Sequence, residues 1–242
     1  MSKKIRLDKY LADMKLGSRM EVKQQMKKGR VTVNGDVIKK PELKIEPGKD
    51  RVEVDGQEIG YIEKEYWMLH KPAGVLSATE DPHCTTVIDL LKGQSRKDLF
   101  PVGRLDKDTE GLLLLTNDGE LAHELLSPKK HVDKTYYAKI IGEVTREDVD
   151  IFAKGVGIGE EKPAMPAKLK ICSVCEGNSE ILVTIQEGKF HQVKRMFEAV
   201  GKKVSYLKRI SMGSLVLDGD LEPGKARPLT EEEIKVLKNG RG

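Results

Sequence analysis

The stretch GRLDKDTEGLLLLTNDG, residues 103–119, decides how this chain is read. It sets a carboxylate, Asp106, just ahead of a leucine run that Asn117-Asp118-Gly119 brings to a stop. Leu112–Leu115 with Thr116 predicts a strand buried on both faces, and Asn-Asp-Gly predicts a turn built from residues that tolerate left-handed backbone. Asp106 then sits in the loop feeding a central strand, where rigid scaffolds concentrate reactive groups. Asp in such a loop is more often a turn former or a solvated charge, so both readings stand at this point.

Two later segments offer what a lone aspartate lacks. In DKTYYAKI the side chains alternate, so Tyr136 and Tyr137 fall on opposite faces of a strand and only one can face Asp106. In EGKFHQVKRMFEAVG, Val193, Met196, Phe197 and Val200 repeat at helical spacing and Gly201 closes the helix. His191, Lys194 and Arg195 project from its other side, near the helix start. Upstream, Tyr66-Trp67-Met68-Leu69 begins an apolar strand, and His70-Lys71-Pro72-Ala73-Gly74 turns the chain; Lys71 there is a candidate phosphate contact or simply exposed. A last helix is capped by Thr230 and Glu233 and is expected on the outside of the sheet.

The first 60 residues read differently. Leu7, Tyr10, Leu11 and Met14 recur at helical spacing, Gly17 ends that helix, and Ser18 with Glu21 predicts a capping box opening a second one that ends at Gly29. Arg19, Lys23 and Lys27 form one basic stripe, while Val22 and Met26 form an apolar stripe displaced by about 100°. Val31 and Val33 alternate into Asn34-Gly35, a hairpin signal; Val37-Ile38 return, and Val52 and Val54 run into Asp55-Gly56. Residues 1–60 carry 15 Lys/Arg against 10 Asp/Glu, whereas residues 61–242 carry 28 against 29. The basic excess therefore lies in the helical segment, where it attracts a polyanion in a salt-dependent manner. A charge run is usually only a solvated helix face. The composition of the second helix, mostly Lys, suits phosphates better than base edges. A polar linker around Glu63-Lys64-Glu65 divides the chain into residues 1–60 and 61–242.

Length and composition limit the rest. The 242 residues, 38% apolar and 34% charged, fit a globular protein of one small and one larger domain. No run approaches the roughly 18 apolar residues of a membrane span, and MSKKIRLDKYL lacks the apolar core of a signal peptide, so a cytoplasmic protein with no membrane association is expected. Three cysteines make no disulfide framework. Cys172-Ser173-Val174-Cys175 is a single CxxC with no second pair, and His191 has no partner at ligand spacing, so no metal site is expected. Gly155, Gly157 and Gly159 follow a helical pattern rather than a strand, which removes a dinucleotide loop. Asp106 and Asp108, two residues apart in one loop, cannot flank both faces of a sugar as glycosidase carboxylates do.

The segment 103–119 resembles the signature of the RsuA/RluB/RluE/RluF group of pseudouridine synthases: Gly103-Arg104-Leu105-Asp106, then Thr109, Gly111, the leucine strand and Thr116-Asn117-Asp118-Gly119. The N-terminal KKGRVTVNG pattern resembles the alpha-L RNA-binding motif named after ribosomal protein S-four. The resemblance implies an α+β fold in which a small helical-hairpin RNA-binding module precedes a catalytic domain with a mostly antiparallel mixed β-sheet flanked by helices. It also implies that Asp106 is the nucleophile. Tyr136, in Lys134-Thr135-Tyr136, matches the family's Lys-x-Tyr motif and corresponds to the active-site tyrosine, and Lys194 to the basic residue that holds the nucleophile. Arg104 braces the loop or the extruded site, and Lys71, His191, Arg195, Arg19, Lys23, Lys27 and Arg30 complete the expected RNA-facing set. His70 departs from the Asn usual before the family's Lys-Pro element.

The implied activity is isomerisation of a uridine in ribosomal RNA after the base is flipped out, with no cofactor, by a monomer acting on ribosomal RNA or a small-subunit precursor particle. The helix start HQVKRM and the C-terminal pattern resemble the branch that modifies uridine-516 of 16S ribosomal RNA. The 23S branches usually carry Arg in place of Lys194. A non-catalytic RNA-binding protein needs none of Asp106, Tyr136 and Lys194, and a glycosyl hydrolase would release free base or sugar.

Overall fold

In the computed structural model, which describes residues 4–239, the N-terminal pattern resolves into β1 (Ile5–Arg6), α1 (Leu7–Asp13), α2 (Arg19–Lys27), β2 (Val31–Val33), β3 (Asp36–Val37), β4 (Lys44–Ile45), β5 (Val52–Val54) and β6 (Gln57–Glu58). Local rules explain most of it. Ser18 accepts from the Glu21 N–H while the Glu21 carboxylate accepts from the Ser18 N–H, the reciprocal box that starts α2. Asn34 (φ 53°) and Gly35 (φ 91°) take the left-handed conformations that a two-residue hairpin between β2 and β3 demands. Leu7, Leu11, Val22, Met26, Val31 and Val52 are packed into one core at 1% exposure or less.

This compact unit runs to Glu65 and also takes in Gly93–Leu99, a segment that a division at residue 60 assigns elsewhere. Arg96 accounts for it. Its side chain, 3% exposed, pairs with Asp98 and Asp13 and donates to the Ile62 carbonyl, while the Ser95 and Arg96 N–H groups donate to the Glu65 carboxylate. A buried guanidinium needs such a full set of acceptors.

The second unit holds Tyr66–Lys92 and the chain from Phe100 onward. Its strands are β7 (Tyr66–Lys71), β8 (Phe100–Pro101), β9 (Glu110–Thr116), β10 (Lys134–Ile141), β11 (Lys168–Cys175), β12 (Asn178–Ile185), β13 (Lys203–Met212), β14 (Leu215–Val216) and β15 (Ala226–Pro228). They make one sheet in the order β11-β12-β10-β13-β9-β7-β15, with β14 on β13 and β8 on β9. Among the described strands of this sheet every pairing is antiparallel except β13 with β9. That parallel join is tight: a Cβ on Gly111 would lie 2.2 Å from the Arg209 carbonyl oxygen, and Gly111 has φ +102°. The helices are α3 (Gly119–Leu126), α4 (Arg146–Lys154), α5 (Gln192–Ala199) and α6 (Glu231–Asn239). The architecture is the α+β one expected, a mixed and mostly antiparallel sheet flanked by helices.

Leu112–Leu115 are buried to 1% exposure or less, as a central strand requires. Leu112 and Leu114 pack with Met68, Leu121 and Leu125, and Leu237 of α6 joins the same cluster. The Asn-Asp-Gly stop differs from expectation. Neither Asn117 nor Asp118 has positive φ; Asp118 is instead the N-cap of α3 and accepts from the Leu121 N–H. An Asp ahead of an amphipathic helix satisfies an otherwise unpaired amide there, which outweighs its turn-forming tendency.

Candidate active site

Asp106 lies in the loop between β8 and β9, and that loop is fixed from several sides. The Val102 N–H donates to Leu114 O (2.8 Å), the Ser77 hydroxyl bonds both the N–H and the carbonyl of Leu105, and the Gly74 N–H donates to Lys107 O (2.7 Å). Lys71, the last residue of β7, is wholly buried. Its ammonium donates to the carbonyls of Asp106 (3.0 Å), Lys107 (3.2 Å), Thr109 (2.8 Å) and Pro72 (3.1 Å). The expectation that Lys71 touches RNA phosphate is thereby corrected: the loop that carries Asp106 wraps around its head group and no surface is left for a ligand. Burial lowers its pKa to about 8, with Asp108, Asp106 and Glu110 opposing the fall.

The Asp106 side chain is about a quarter exposed. Lys194, one turn into α5, reaches Asp106 Oδ2 at 3.3 Å and Asp108 at 2.6 and 2.8 Å. Burial works against the Lys194 charge, yet hydrogen bonding to Asp108 and the nearby Asp106 charge raise its pKa above the ordinary lysine value; Lys194 in turn lowers that of Asp108. The cation is therefore shared, and Asp108 is a member of the site that the sequence reading set aside with the glycosidase idea. The Asp-x-Asp spacing was its only signal.

His191 Nε2 stands 3.7 Å from Asp106 Oδ1, beyond hydrogen-bond length. It is a neighbour of the carboxylate and lines the same pocket. Tyr136, 7% exposed, faces the same pocket as Asp106, while Tyr137 on the other side of β10 packs edge-on to Tyr206. The pocket holds about 70 Å³ and is lined by Arg104, Asp106, Tyr136, His191, Gln192 and Lys194 among others. Arg104 itself is exposed. Gln192 and Glu187, buried together, bond each other at 2.9 Å and clamp the turn before α5.

Arg195 is engaged within its own domain. Its guanidinium donates to Glu160 (2.8 Å), to Phe190 O (3.1 Å) and to Ile158 O, so it ties the 158–160 loop to the helix start. In the first unit Arg19, Lys23 and Lys27 are exposed along α2, opposite the buried Val22 and Met26. Arg30 is exposed too, but its guanidinium is paired with Asp55 across the neighbouring turn.

A family model described as RNA pseudouridylate synthase matches residues 65–199, and a model of the S4 domain matches residues 5–52. An uncharacterized RNA pseudouridine synthase of Bacillus subtilis is 51% identical over 96% of this chain and 98% of its own length. The ribosomal small subunit pseudouridine synthase A of Vibrio parahaemolyticus is 42% identical over 97% of this chain and 100% of its own. The ribosomal large subunit pseudouridine synthase B of Bacillus subtilis is likewise 42% identical, over 96% and 95%. A crystal structure of a pseudouridylate synthase is similar along 96% of this chain and 99% of that one, with a TM-score of 0.66 at 36% identity.

Proposed function

The chain belongs to the RNA pseudouridine synthase family, in the RsuA/RluB-type group that joins an S4 domain to an isomerase domain, and on that premise we propose that it converts one uridine of ribosomal RNA, uridine-516 of 16S ribosomal RNA, to pseudouridine. The observation that carries the catalytic part is the meeting of Asp106, Tyr136 and Lys194 in one pocket from three segments distant in sequence.

In this reading the basic face of α2 grips RNA phosphates and the uridine is flipped toward the pocket, as enzymes that act on a base require. Asp106 is the nucleophile. Asp106 bonds to the nucleotide and is released again before the cycle ends; in between, the C1′–N1 bond breaks, the uracil turns while held, C1′ bonds to C5, the C5 proton leaves to solvent and N1 takes up a proton. The product is an isomer, so no electrons are transferred and no group is lost. Lys194 holds and orients the carboxylate, and Asp108 binds the same ammonium. Tyr136 stacks on the base and takes part in removing the C5 proton. Lys71 fixes the backbone on which Asp106 stands.

Overall identity does not select the target, being 42% to both a small-subunit and a large-subunit enzyme. Lys194 is what favours 16S ribosomal RNA, because the family's 23S branches usually have Arg there. Incubation with RNA tritiated at uridine C5 tests the chemistry: the reading expects tritium release with no free uracil, and free uracil or unchanged RNA contradicts it. Mapping pseudouridine in ribosomal RNA from cells lacking the gene tests the target. A modification lost from 23S rather than 16S ribosomal RNA contradicts that assignment.

A further inference from the structure

Phe190 stands beside the pocket with 67% of its surface exposed. Its ring is stacked on the His191 imidazole, with centroids 3.8 Å apart and planes 19° from parallel, and His191 Nε2 is 3.7 Å from the Asp106 carboxylate. A stacked pair of flat rings therefore adjoins the Asp106 carboxylate, its inner member 3.7 Å away and its outer member exposed. The backbone beneath them is pinned. Phe190 O accepts from Arg195, the Lys189 N–H donates to Gln192 Oε1, Gln192 bonds the buried Glu187, and His191 adopts a left-handed φ of 50° that starts α5. An apolar ring left in water costs free energy, and a flexible loop could fold it away; this loop is held so that it cannot.

We infer that Phe190 is a positioning residue whose ring stacks on the RNA base next to the extruded uridine, taking up the place in the stack that the uridine vacates. The inference rests on the reading of RNA as substrate and deepens it. Removing a base from a stack exposes the face of its neighbour, and a rigid aromatic side chain covers that face without sequence preference because every base has a π-face. Proteins that unstack bases use apolar wedges in the same way. Phe has no hydrogen-bonding group, so Phe190 contributes to extrusion rather than to base identity. The backing His191 ring keeps the wedge from tilting into the pocket.

The test compares Phe190→Ala, Phe190→Trp and wild type on two RNAs: a stem with the target uridine stacked, and the same stem with that uridine in a single-nucleotide bulge. For Phe190→Ala, kcat/KM on the stacked RNA is expected to fall about 10- to 100-fold, the scale of one lost base–aromatic stack. On the bulged RNA the loss is expected to shrink to about twofold or less, because little unstacking remains to be done. Phe190→Trp is expected to restore turnover on the stacked RNA, and 2-aminopurine beside the target is expected to be quenched on binding by wild type and not by Phe190→Ala. Equal losses on both RNAs, no loss on either, or no rescue by Trp overturns the inference. Failure of the functional reading has a different signature: wild type then makes no pseudouridine in either RNA, and the inference falls with it.

Discussion

Replacing Lys71 by Met removes an ammonium that no solvent reaches and that four carbonyls surround. Burial lowers its pKa from 10.5 to about 8. At about 1.4 kcal/mol per tenfold, keeping it charged at neutral pH costs on the order of 3 kcal/mol. Its three N–H groups offset that, since a hydrogen bond to a charged group contributes about 1.5–3 kcal/mol. The balance is a net stabilisation of about 1.5–6 kcal/mol, and three of the four acceptors belong to the loop that carries Asp106. Met fills the space but donates nothing, so the loop relaxes and the Asp106 carboxylate moves. Displacement by about 1 Å is enough to lower kcat roughly 100-fold. The assays are urea unfolding, single-turnover pseudouridine formation, and RNA affinity against salt. Lys71→Met is expected to unfold at lower urea and turn over slowly, with an unchanged salt slope. A phosphate contact would instead make that slope shallower by about 0.9. A shallower slope with full kcat and unchanged stability would refute the reasoning.

Gly111→Ala puts a Cβ 2.2 Å from Arg209 O and 2.7 Å from Arg209 N at φ +102°, so β9 and β13 must part. A loss above about 4 kcal/mol is expected in thermal unfolding or yield of folded protein, and a change below about 1 kcal/mol would contradict it. Hydrogen bonds from Arg227, and then from the Thr230 N–H, lower the Glu233 pKa from 4.5 to about 2. Because the folded value is the lower one, the stabilisation is fully present above pH 4.5 and is lost as pH falls through about 2. Glu233→Gln is thus expected to be less stable by about 1–3 kcal/mol at pH 7, allowing for partial exposure, and to converge with wild type near pH 2. Lys23→Ala with Lys27→Ala is expected to weaken RNA binding and to make the salt slope shallower by about 0.7–0.9 per lysine; an unchanged slope would remove α2 from the RNA interface.

The features readable from sequence were those fixed by near neighbours. The capping box at Ser18, the Asn34-Gly35 hairpin, the buried leucines of β9 and the opposite faces of Tyr136 and Tyr137 each follow from spacing over a few residues, and spacing survives folding. Lys71 was misread because Lys before Pro looks exposed until a loop 35 residues later closes over it. Asp108 was passed over because its partner, Lys194, is 86 residues away. Gly93–Leu99 has no local signature of belonging with the N-terminal unit; only the acceptors around Arg96 assign it there. Asn117-Asp118-Gly119 carried the right residues for two structures, and the helix that follows selected the cap over the turn.

The central claim is that the Asp106 carboxylate does the chemistry. Asp106→Asn keeps the size of the side chain and removes its charge and one acceptor oxygen, so the most direct measurement is pseudouridine formed by this variant on an RNA that it demonstrably binds. Binding close to wild type with no detectable pseudouridine is predicted; turnover approaching wild type would contradict the account.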